Sequence, residues 1–286
     1  MSSDAFTLLR PQKQTTPVVF SSPHSGRDYS AAFRSRSQLG MLSLRSSEDA
    51  FVDRLFADAP KYGAPLIAAT APRAWLDLNR AEKELDPALI EGVVRGSQNP
   101  RVNSGLGVIP RVVAGGRAIY RGRISMAEAA ARLDRHWHPY HAALRGLIEQ
   151  SHRLFGEAIL VDCHSMPHEA IAAHSRHTSP SPDIVLGDRF GAAANREVVT
   201  ALETAFRRAG LRVARNAPFA GAYIAQAYGK PLLNQHVVQV EIDRALYMDE
   251  QRIEPRADFA AFQALIAGVI ADVTESDARA RPLAAE

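Results

Sequence analysis

The chain has few of the residues that mark several specialised classes of protein. Its one cysteine, Cys163, cannot form an internal disulfide and excludes a multi-cysteine metal site. No run of about 18 apolar residues is present, which excludes a membrane-spanning helix. Residues 1–10 lack a basic stretch followed by an apolar core, so we expect no secretory signal and a cytoplasmic location. Any bound metal must be held by histidines and carboxylates.

The chain also has little net charge. The formal net charge is +3, and most basic residues are arginines scattered among acidic ones, as in Glu82-Lys83-Glu84. No basic patch typical of nucleic-acid-binding proteins stands out. We therefore expect a small anionic molecule as the partner, with no nucleic acid and no membrane, and the sequence leaves the oligomeric state open.

What the sequence does contain is an alternation of strand and helix patterns. This predicts an α/β fold, a single domain over residues 1–286 with a mixed sheet flanked by helices. The predicted strands are 17–20, 66–69, 74–78, 158–161, 184–186, 211–214 and 237–242. Helices are predicted from Ser46 or Ser47, from a capping box at Ser125–Glu128, and over about 192–209 and 257–273. The Gly-, Pro- and Arg-rich stretch 87–123 is expected to be a functional excursion, and the tail after 275 to fray.

Two histidines lie close to the ends of predicted strands. His24 follows strand 17–20 in Pro23-His24-Ser25-Gly26, and His164 follows strand 158–161 in Asp162-Cys163-His164-Ser165. Functional groups of α/β sheets collect at the carboxyl ends of the strands. Two imidazoles and one carboxylate form a ligand set that suits zinc and keeps a fourth position for water. Alternatively, each histidine makes only local hydrogen bonds.

Three carboxylates are candidates to accompany these histidines. Glu48 and Asp49 stand together at a predicted helix start, where either could bind the metal or interact with the helix dipole. Asp162 precedes His164 by two residues, so in a strand both side chains point to one side. It could orient the imidazole, or bond only to the backbone.

Glu241 lies in the apolar predicted strand 237–242, where a buried carboxylate needs a reason. A general base beside a metal-bound water is one reason, and a salt bridge with Arg244 is another. Cys163 is a poor candidate nucleophile, because neighbours in a strand point to opposite faces and His164 could not deprotonate it.

Further polar residues suit recognition of an anion. Arg80, preceded by Asn79, would offer a guanidinium fork to a carboxylate, and Arg123 is a second candidate. His136, His138 and His141 follow on the long predicted helix, where Pro139 indicates a kink. A metal site in that cluster would need a carboxylate partner, and none is obvious from the sequence.

Six short motifs in order along the chain resemble the N-formylglutamate amidohydrolases, relatives of the zinc carboxypeptidases, aspartoacylase and succinylglutamate desuccinylase. They are Pro23-His24-Ser25-Gly26, Glu48-Asp49 with Asp53, Asp77-Leu78-Asn79-Arg80, Pro139-Tyr140-His141, Asp162-Cys163-His164-Ser165, and Gln239 to Met248 with Glu241-Ile242-Asp243-Arg244 at its centre. Any one of these tetrapeptides is weak evidence, but six in sequence are specific.

The resemblance implies a zinc-carboxypeptidase-like fold and a Zn²⁺ ion held by His24, His164 and a carboxylate. In the carboxypeptidase relatives that carboxylate stands three residues after the first histidine, where this chain has Arg27. The third ligand is therefore expected elsewhere, and we favour Asp49 over Glu48. The implied reaction is hydrolysis of N-formyl-L-glutamate to formate and L-glutamate, a step of histidine degradation.

The resemblance also implies roles for further residues. Glu241 is the expected acid and base, Asn79 and Arg80 would grip the substrate carboxylate, and Asp162 and Asp53 would support the metal ligands. Arg123 and His141 complete the predicted substrate contacts. Two alternatives stay open: a hydrolase of another N-acyl amino acid or small peptide, and a non-catalytic protein that binds a metal or ligand.

Overall fold

The structure is a computed structural model and describes residues 5–94, 99–175 and 181–279. The strands are β1 (Phe6–Leu9), β2 (Val18–Ser22), β3 (Leu66–Ala69), β4 (Ala158–Met166), β5 (Ile184–Gly187), β6 (Val213–Arg215), β7 (Gln235–Asp243), β8 (Met248–Asp249) and β9 (Glu254–Pro255). The α-helices are α1 (Ala31–Arg36), α2 (Met41–Arg45), α3 (Val52–Leu55), α4 (Pro100–Asn103), α5 (Met126–Arg132), α6 (His138–Phe155), α7 (His168–Ser175), α8 (Arg196–Arg208), α9 (Tyr223–Tyr228) and α10 (Phe259–Arg279).

Over the described residues, seven strands form one sheet in the order β1-β3-β2-β4-β7-β5-β6. Strands β2, β4 and β7 are parallel, whereas β5 runs antiparallel to β7. Every residue of β4 is buried, and all but the first of β7. Strands covered on both faces need apolar sequences, which β4 has over 158–161 and β7 has at Val237, Val238 and Val240. The predicted α/β class with a mixed, helix-flanked sheet is confirmed.

The chain divides into two compact units. The first contains Pro23–Ala50 and Ala68–Ala143, with the segment up to Thr7. An aromatic cluster lies inside it: the Phe33 ring is 4.9 Å from the Trp75 ring and 6.1 Å from that of Tyr120. The buried Arg132 guanidinium lies 3.4 Å from the centre of the Trp75 ring, a cation–π contact.

The second unit contains Leu8–Ser22, Phe51–Ile67 and the chain from Leu144 onward. It holds β2 and β4 to β7, and within it α3 contacts β4, α8 contacts β5, and α10 contacts α8. The predicted single-domain organisation and the excursion at 87–123 stay predictions. The predicted frayed tail falls largely outside the described residues, since α10 is described to Arg279 and residues 280–286 are not. Among the described helices, none combines the length and the apolarity needed to cross a membrane.

Two predicted elements are wrong. The helix expected from Ser46 begins only at Val52, because Phe51 has a left-handed backbone with φ of 67° that interrupts the helix. Residues 74–78 form turns rather than a strand, since the amides of Trp75 and Leu76 both donate to the carbonyl of Pro72. Asp49 therefore lies outside any helix, and Arg80 follows a turn.

The long helix has the predicted start and an unpredicted interruption. The Ser125 hydroxyl accepts from the amide of Glu128, as expected of a capping residue. A π-helical turn at Leu133–Trp137 separates α5 from α6. It ends two residues before Pro139, whose ring would clash with the carbonyl four residues earlier in a regular α-helix. The kink indicated by Pro139 thus takes the form of a π-turn.

Candidate active site

The turn that carries His24 is fixed by a close backbone approach. A side chain at Gly26 would put its Cβ 2.0 Å from the carbonyl oxygen of Ala71, so only glycine fits. The amide of Asp28 donates to Thr70, and the amide of Asp49 donates to the carbonyl of His24. His24 is buried in this turn, which extends directly from β2.

Both ring nitrogens of His24 contact carboxylates. Nδ1 lies 3.3 Å from Asp49 Oδ2, and Nε2 lies 2.7 Å from Asp77 Oδ1. Burial alone would raise the pKa of Asp77, but Arg73, His24 and Arg80 together hold it well below its usual value. Asp77 is therefore an anion that accepts a hydrogen bond from Nε2, and Nδ1 is the nitrogen that can bind a metal.

The two adjacent acids differ in their partners. Glu48 Oε1 accepts from the Tyr29 hydroxyl at 2.6 Å and from Arg45 Nε at 3.1 Å. Burial and then the Glu48 carboxylate raise the pKa of the Tyr29 phenol. These contacts engage Glu48 in a local network, whereas Asp49 faces His24.

A second set of polar residues stands on the parallel strands β4 and β7. In their register Asp162 lies beside Gln239 and His164 beside Glu241, so all four side chains project from one face of the sheet. Asp162 Oδ2 lies 2.9 Å from His164 Nε2, and its Oδ1 accepts from the Ser21 hydroxyl at 2.6 Å. His164 Nδ1 is then the nitrogen that can bind a metal.

Glu241 is buried and hydrogen-bonded. Its Oε1 accepts from Gln239 Nε2 at 2.7 Å. Arg244, the alternative partner weighed above, donates from Nε to Ser165 Oγ at 3.2 Å. The sheet thus holds a carboxylate and an imidazole side by side, and both are side chains that serve as general acids and bases.

His24 and Asp49 of the first unit and His164 of the second together offer two imidazoles and one carboxylate, a donor set that could hold a metal ion. The donor chemistry fits zinc, because two imidazoles and one carboxylate are the protein ligands of many catalytic zinc sites. Each imidazole also has a carboxylate at its other nitrogen, Asp77 or Asp162, which fixes the ring and its tautomer.

Cys163 does not share this face. It is fully buried, and burial raises the pKa of its thiol well above the usual value. A neutral thiol on the opposite side of β4 from His164 is a poor nucleophile. Cys163 is therefore a poor candidate nucleophile in the structure, as its sequence position predicts.

Asn79 and Arg80 are buried in a segment whose backbone is hydrogen-bonded by Trp137 and His141. Trp137 Nε1 donates to the carbonyl of Arg80, and His141 Nε2 lies 2.9 Å from the carbonyl of Leu78. Arg80 itself donates from Nε to Leu106 and from Nη1 to Asn79, both through backbone carbonyls. His141 thus contacts the backbone beside the predicted carboxylate-binding pair.

The remaining predicted residues lie in other surroundings. Arg123 is exposed, and its Nη2 donates to the carbonyls of Pro87 and Ile90. Asp53 is half-buried in the first turn of α3. His138 lies 3.6 Å from Asp134, so one member of the helix histidine cluster does have a carboxylate neighbour.

Sequence reasoning missed three residues that support the site: Ser21, Asp77 and Gln239. Asp77 lies in a motif that the sequence analysis used only for its Asn79-Arg80 pair, and its contact to His24 spans 53 positions. For Gln239 a signal existed, since it precedes Glu241 by the same two residues that separate Asp162 from His164.

The fold and these groups define an α/β protein with a buried histidine–carboxylate site of the kind that hydrolases use. The sequence profile of the family "N-formylglutamate amidohydrolase" matches residues 16–248. The chain belongs to the N-formylglutamate amidohydrolase family, which confirms the resemblance inferred from the six motifs.

Individual relatives agree. The chain is 30% identical to an N-formylglutamate deformylase of Pseudomonas aeruginosa over 259 residues, which cover 88% of this chain and 90% of the relative. It is 29% identical to an N-formylglutamate deformylase of Pseudomonas putida over 239 residues, 82% of each chain. The crystal structure of N-formylglutamate amidohydrolase from Ralstonia eutropha matches with a TM-score of 0.90 and 33% identity, covering 97% of this chain and all of the other.

Proposed function

We propose that the protein hydrolyses the amide bond of N-formyl-L-glutamate to give formate and L-glutamate. The observation that carries the proposal is the family match over residues 16–248, and the buried pairs His24–Asp49 and Asp162–His164 support it. The two Pseudomonas relatives are named for deformylation of N-formylglutamate, and both align over more than four-fifths of their length.

We propose further that the enzyme depends on zinc. His24 Nδ1, His164 Nδ1 and Asp49 would hold the ion, with Asp77 and Asp162 fixing the imidazoles. When bound there, zinc would supply a Lewis acid that polarises a carbonyl and makes water more acidic.

Glu241 is the proposed acid and base. It stands beside His164 in the register of β4 and β7, and Gln239 binds one of its two oxygens. In the proposed reaction Glu241 accepts a proton from the water that attacks the formyl carbon. It then gives that proton to the amine nitrogen of the departing glutamate, so the carboxylate is regenerated for the next turnover.

Asn79 and Arg80 are the residues proposed to bind a carboxylate of the substrate. The guanidinium of Arg80 is buried, and a bidentate contact to a carboxylate is worth more there than at an exposed site. His141 would support this pair indirectly, because it contacts the backbone carbonyl of Leu78 next to Asn79. Arg123, exposed and bound to two backbone carbonyls, is the weaker candidate of the two arginines.

A panel of acylated amino acids tests the proposal. Purified protein with a measured zinc content is incubated with the N-formyl, N-acetyl and N-succinyl derivatives of glutamate, and with N-formyl derivatives of other amino acids. Formate release from N-formyl-L-glutamate at the highest kcat/KM is expected. Faster release of acetate or succinate would assign the chain to another acyl group, and no release from any of them would favour a non-catalytic role.

A further inference from the structure

Two neighbouring strands repeat one arrangement of side chains. On β4 Asp162 stands two residues before His164, and on β7 Gln239 stands two residues before Glu241. The first residue of each pair hydrogen-bonds the second, at 2.9 Å on β4 and at 2.7 Å on β7. The chemistry is matched to each partner, since a carboxylate accepts from an imidazole N–H and an amide N–H donates to a carboxylate.

The orientation of the Gln239 amide follows from its second contact. The backbone N–H of Ala222 donates to Gln239 Oε1 at 3.0 Å. A backbone N–H is always a donor, so the Gln239 atom that faces it must be the oxygen. The NH₂ group is therefore the end that faces Glu241, and a flipped amide would set donor against donor at Ala222.

The loop that supplies this N–H is itself held tightly against the sheet. Gly187 of β5 pairs with Gln239, and a Cβ at Gly187 would come within 2.6 Å of backbone atoms of Ala220 and Gly221. The amide of Arg189 also donates to the carbonyl of Ala220 at 2.8 Å. The anchor of Gln239 is thus backbone packed on backbone, which moves less than a side chain on a surface loop.

We propose that Gln239 is a positioning residue that holds the Glu241 carboxylate in one orientation for proton transfer. Oε1 of Glu241 is the oxygen that the amide binds. This inference rests on the proposed function in so far as Glu241 is the base. The expected contribution is to kcat, about 10-fold to 100-fold, as for partners that orient catalytic ligands elsewhere.

Two substitutions of different character test the role. Gln239→Met has a similar length and removes the hydrogen bonds to Ala222 and Glu241. Gln239→Glu keeps an acceptor for Ala222 but places a carboxylate oxygen, which cannot donate, against Glu241. Both are expected to lower kcat about 10-fold or more, with KM changed less than about twofold and zinc content unchanged. Gln235→Met, at the start of the same strand, is the matched control, because Gln235 donates to the carbonyl of Tyr228 and is expected to leave kcat and KM unchanged.

Crystal structures of the variants decide the geometry without reference to any substrate. The Glu241 carboxylate is expected to leave its position in Gln239→Met and to keep it in Gln235→Met. An unchanged Glu241 together with an unchanged kcat in both Gln239 variants would overturn the inference, as would a loss confined to KM or zinc content. If the wild-type chain released no formate, the proposed function would fail, and the position of Glu241 in these structures would still decide the role of Gln239.

Discussion

Each histidine of the candidate site contacts a buried carboxylate through Nε2. His24 contacts Asp77 at 2.7 Å, and His164 contacts Asp162 at 2.9 Å. An anionic acceptor fixes the tautomer and makes the opposite nitrogen a better metal ligand. The Asp162 contact could be inferred from spacing alone, because residues two apart share a face of a strand. The Asp77 contact could not, because it joins a turn after β2 to a turn 53 positions later.

Replacing one of these carboxylates should lower the zinc affinity of the proposed site without disrupting the hydrophobic core. We expect Asp162→Asn to lower zinc affinity about 10-fold to 100-fold, because the amide lacks the charge that strengthens the imidazole as a ligand. Competition with a chromogenic chelator measures the affinity. Asp188→Asn, another buried aspartate of the same unit, serves as control and should bind zinc like the wild type.

Glu241 allows a separate test of the chemical step. Glu241→Gln keeps the size and the hydrogen-bonding capacity of the side chain but cannot accept a proton at neutral pH. We expect kcat to fall about 10²-fold to 10⁴-fold, with zinc content and the unfolding transition unchanged. Steady-state kinetics and metal analysis on one preparation measure both, and turnover close to that of the wild type would remove Glu241 from the mechanism.

At the scale of elements, the apolar strands were predictable and the polar ends of strands were not. β3 was predicted with the bounds it has, 66–69. β4 was expected to end at 161 but continues to Met166, because β7 pairs with it along its whole length and so holds the polar run 162–165 extended. The helix expected from Ser46 or Ser47 does not form before Val52, because Phe51 has a left-handed backbone. Helix propensities do not predict that conformation for a phenylalanine.

The contact between α6 and the segment before Arg80 should matter for substrate binding. His141→Leu leaves the buried Leu78 carbonyl without that hydrogen bond, at a cost of about 1–3 kcal/mol in the free energy of unfolding. Because the same backbone carries Asn79 and Arg80, we expect KM to rise more than kcat falls. Kinetics and denaturant unfolding check both, and His138→Leu, a half-exposed position of the same helix, should change neither.

An ion pair with a defined pH dependence joins the residues that directly precede β5 and β6. Asp183 accepts from Arg212 Nε at 2.9 Å and from Nη2 at 2.6 Å. Burial alone would raise the pKa of Asp183, but the hydrogen bonds from Arg212 lower it below its usual value. A lowered pKa in the folded state means that the pair stabilises above the ordinary value of 3.8 and ceases to do so as the pH falls through the folded-state pKa.

Asp183→Asn should therefore destabilise the protein at neutral pH and progressively less in acid. Arg212 is half-exposed, so solvent screening limits the effect to about 1 kcal/mol. Denaturant unfolding of the variant and the wild type at several pH values measures the difference. A difference that grew as the pH fell would reverse the sign of this account.

At the scale of the whole molecule, the sequence indicated the family and the candidate ligands, while the structure supplied the residues that contact them. The six motifs lie within or beside the matched span 16–248, and His24, Asp49 and His164 come from three of them. Asp77, which contacts His24, and Gln239, which binds Glu241, were present in two other motifs but had no assigned role. The partner of Asp77 is distant in sequence, so no local pattern indicates that contact. Family membership therefore predicts the chemistry better than it predicts what positions it.

The central proposal is that His24, Asp49 and His164 hold a zinc ion on which hydrolysis of N-formyl-L-glutamate depends. The most direct measurement is formate release while zinc is titrated into metal-depleted protein, with His24→Ala treated in parallel. The account predicts that activity rises with zinc and levels off near one ion per chain, and that the variant stays inactive at that ratio. Full activity of the metal-depleted wild-type chain would contradict it.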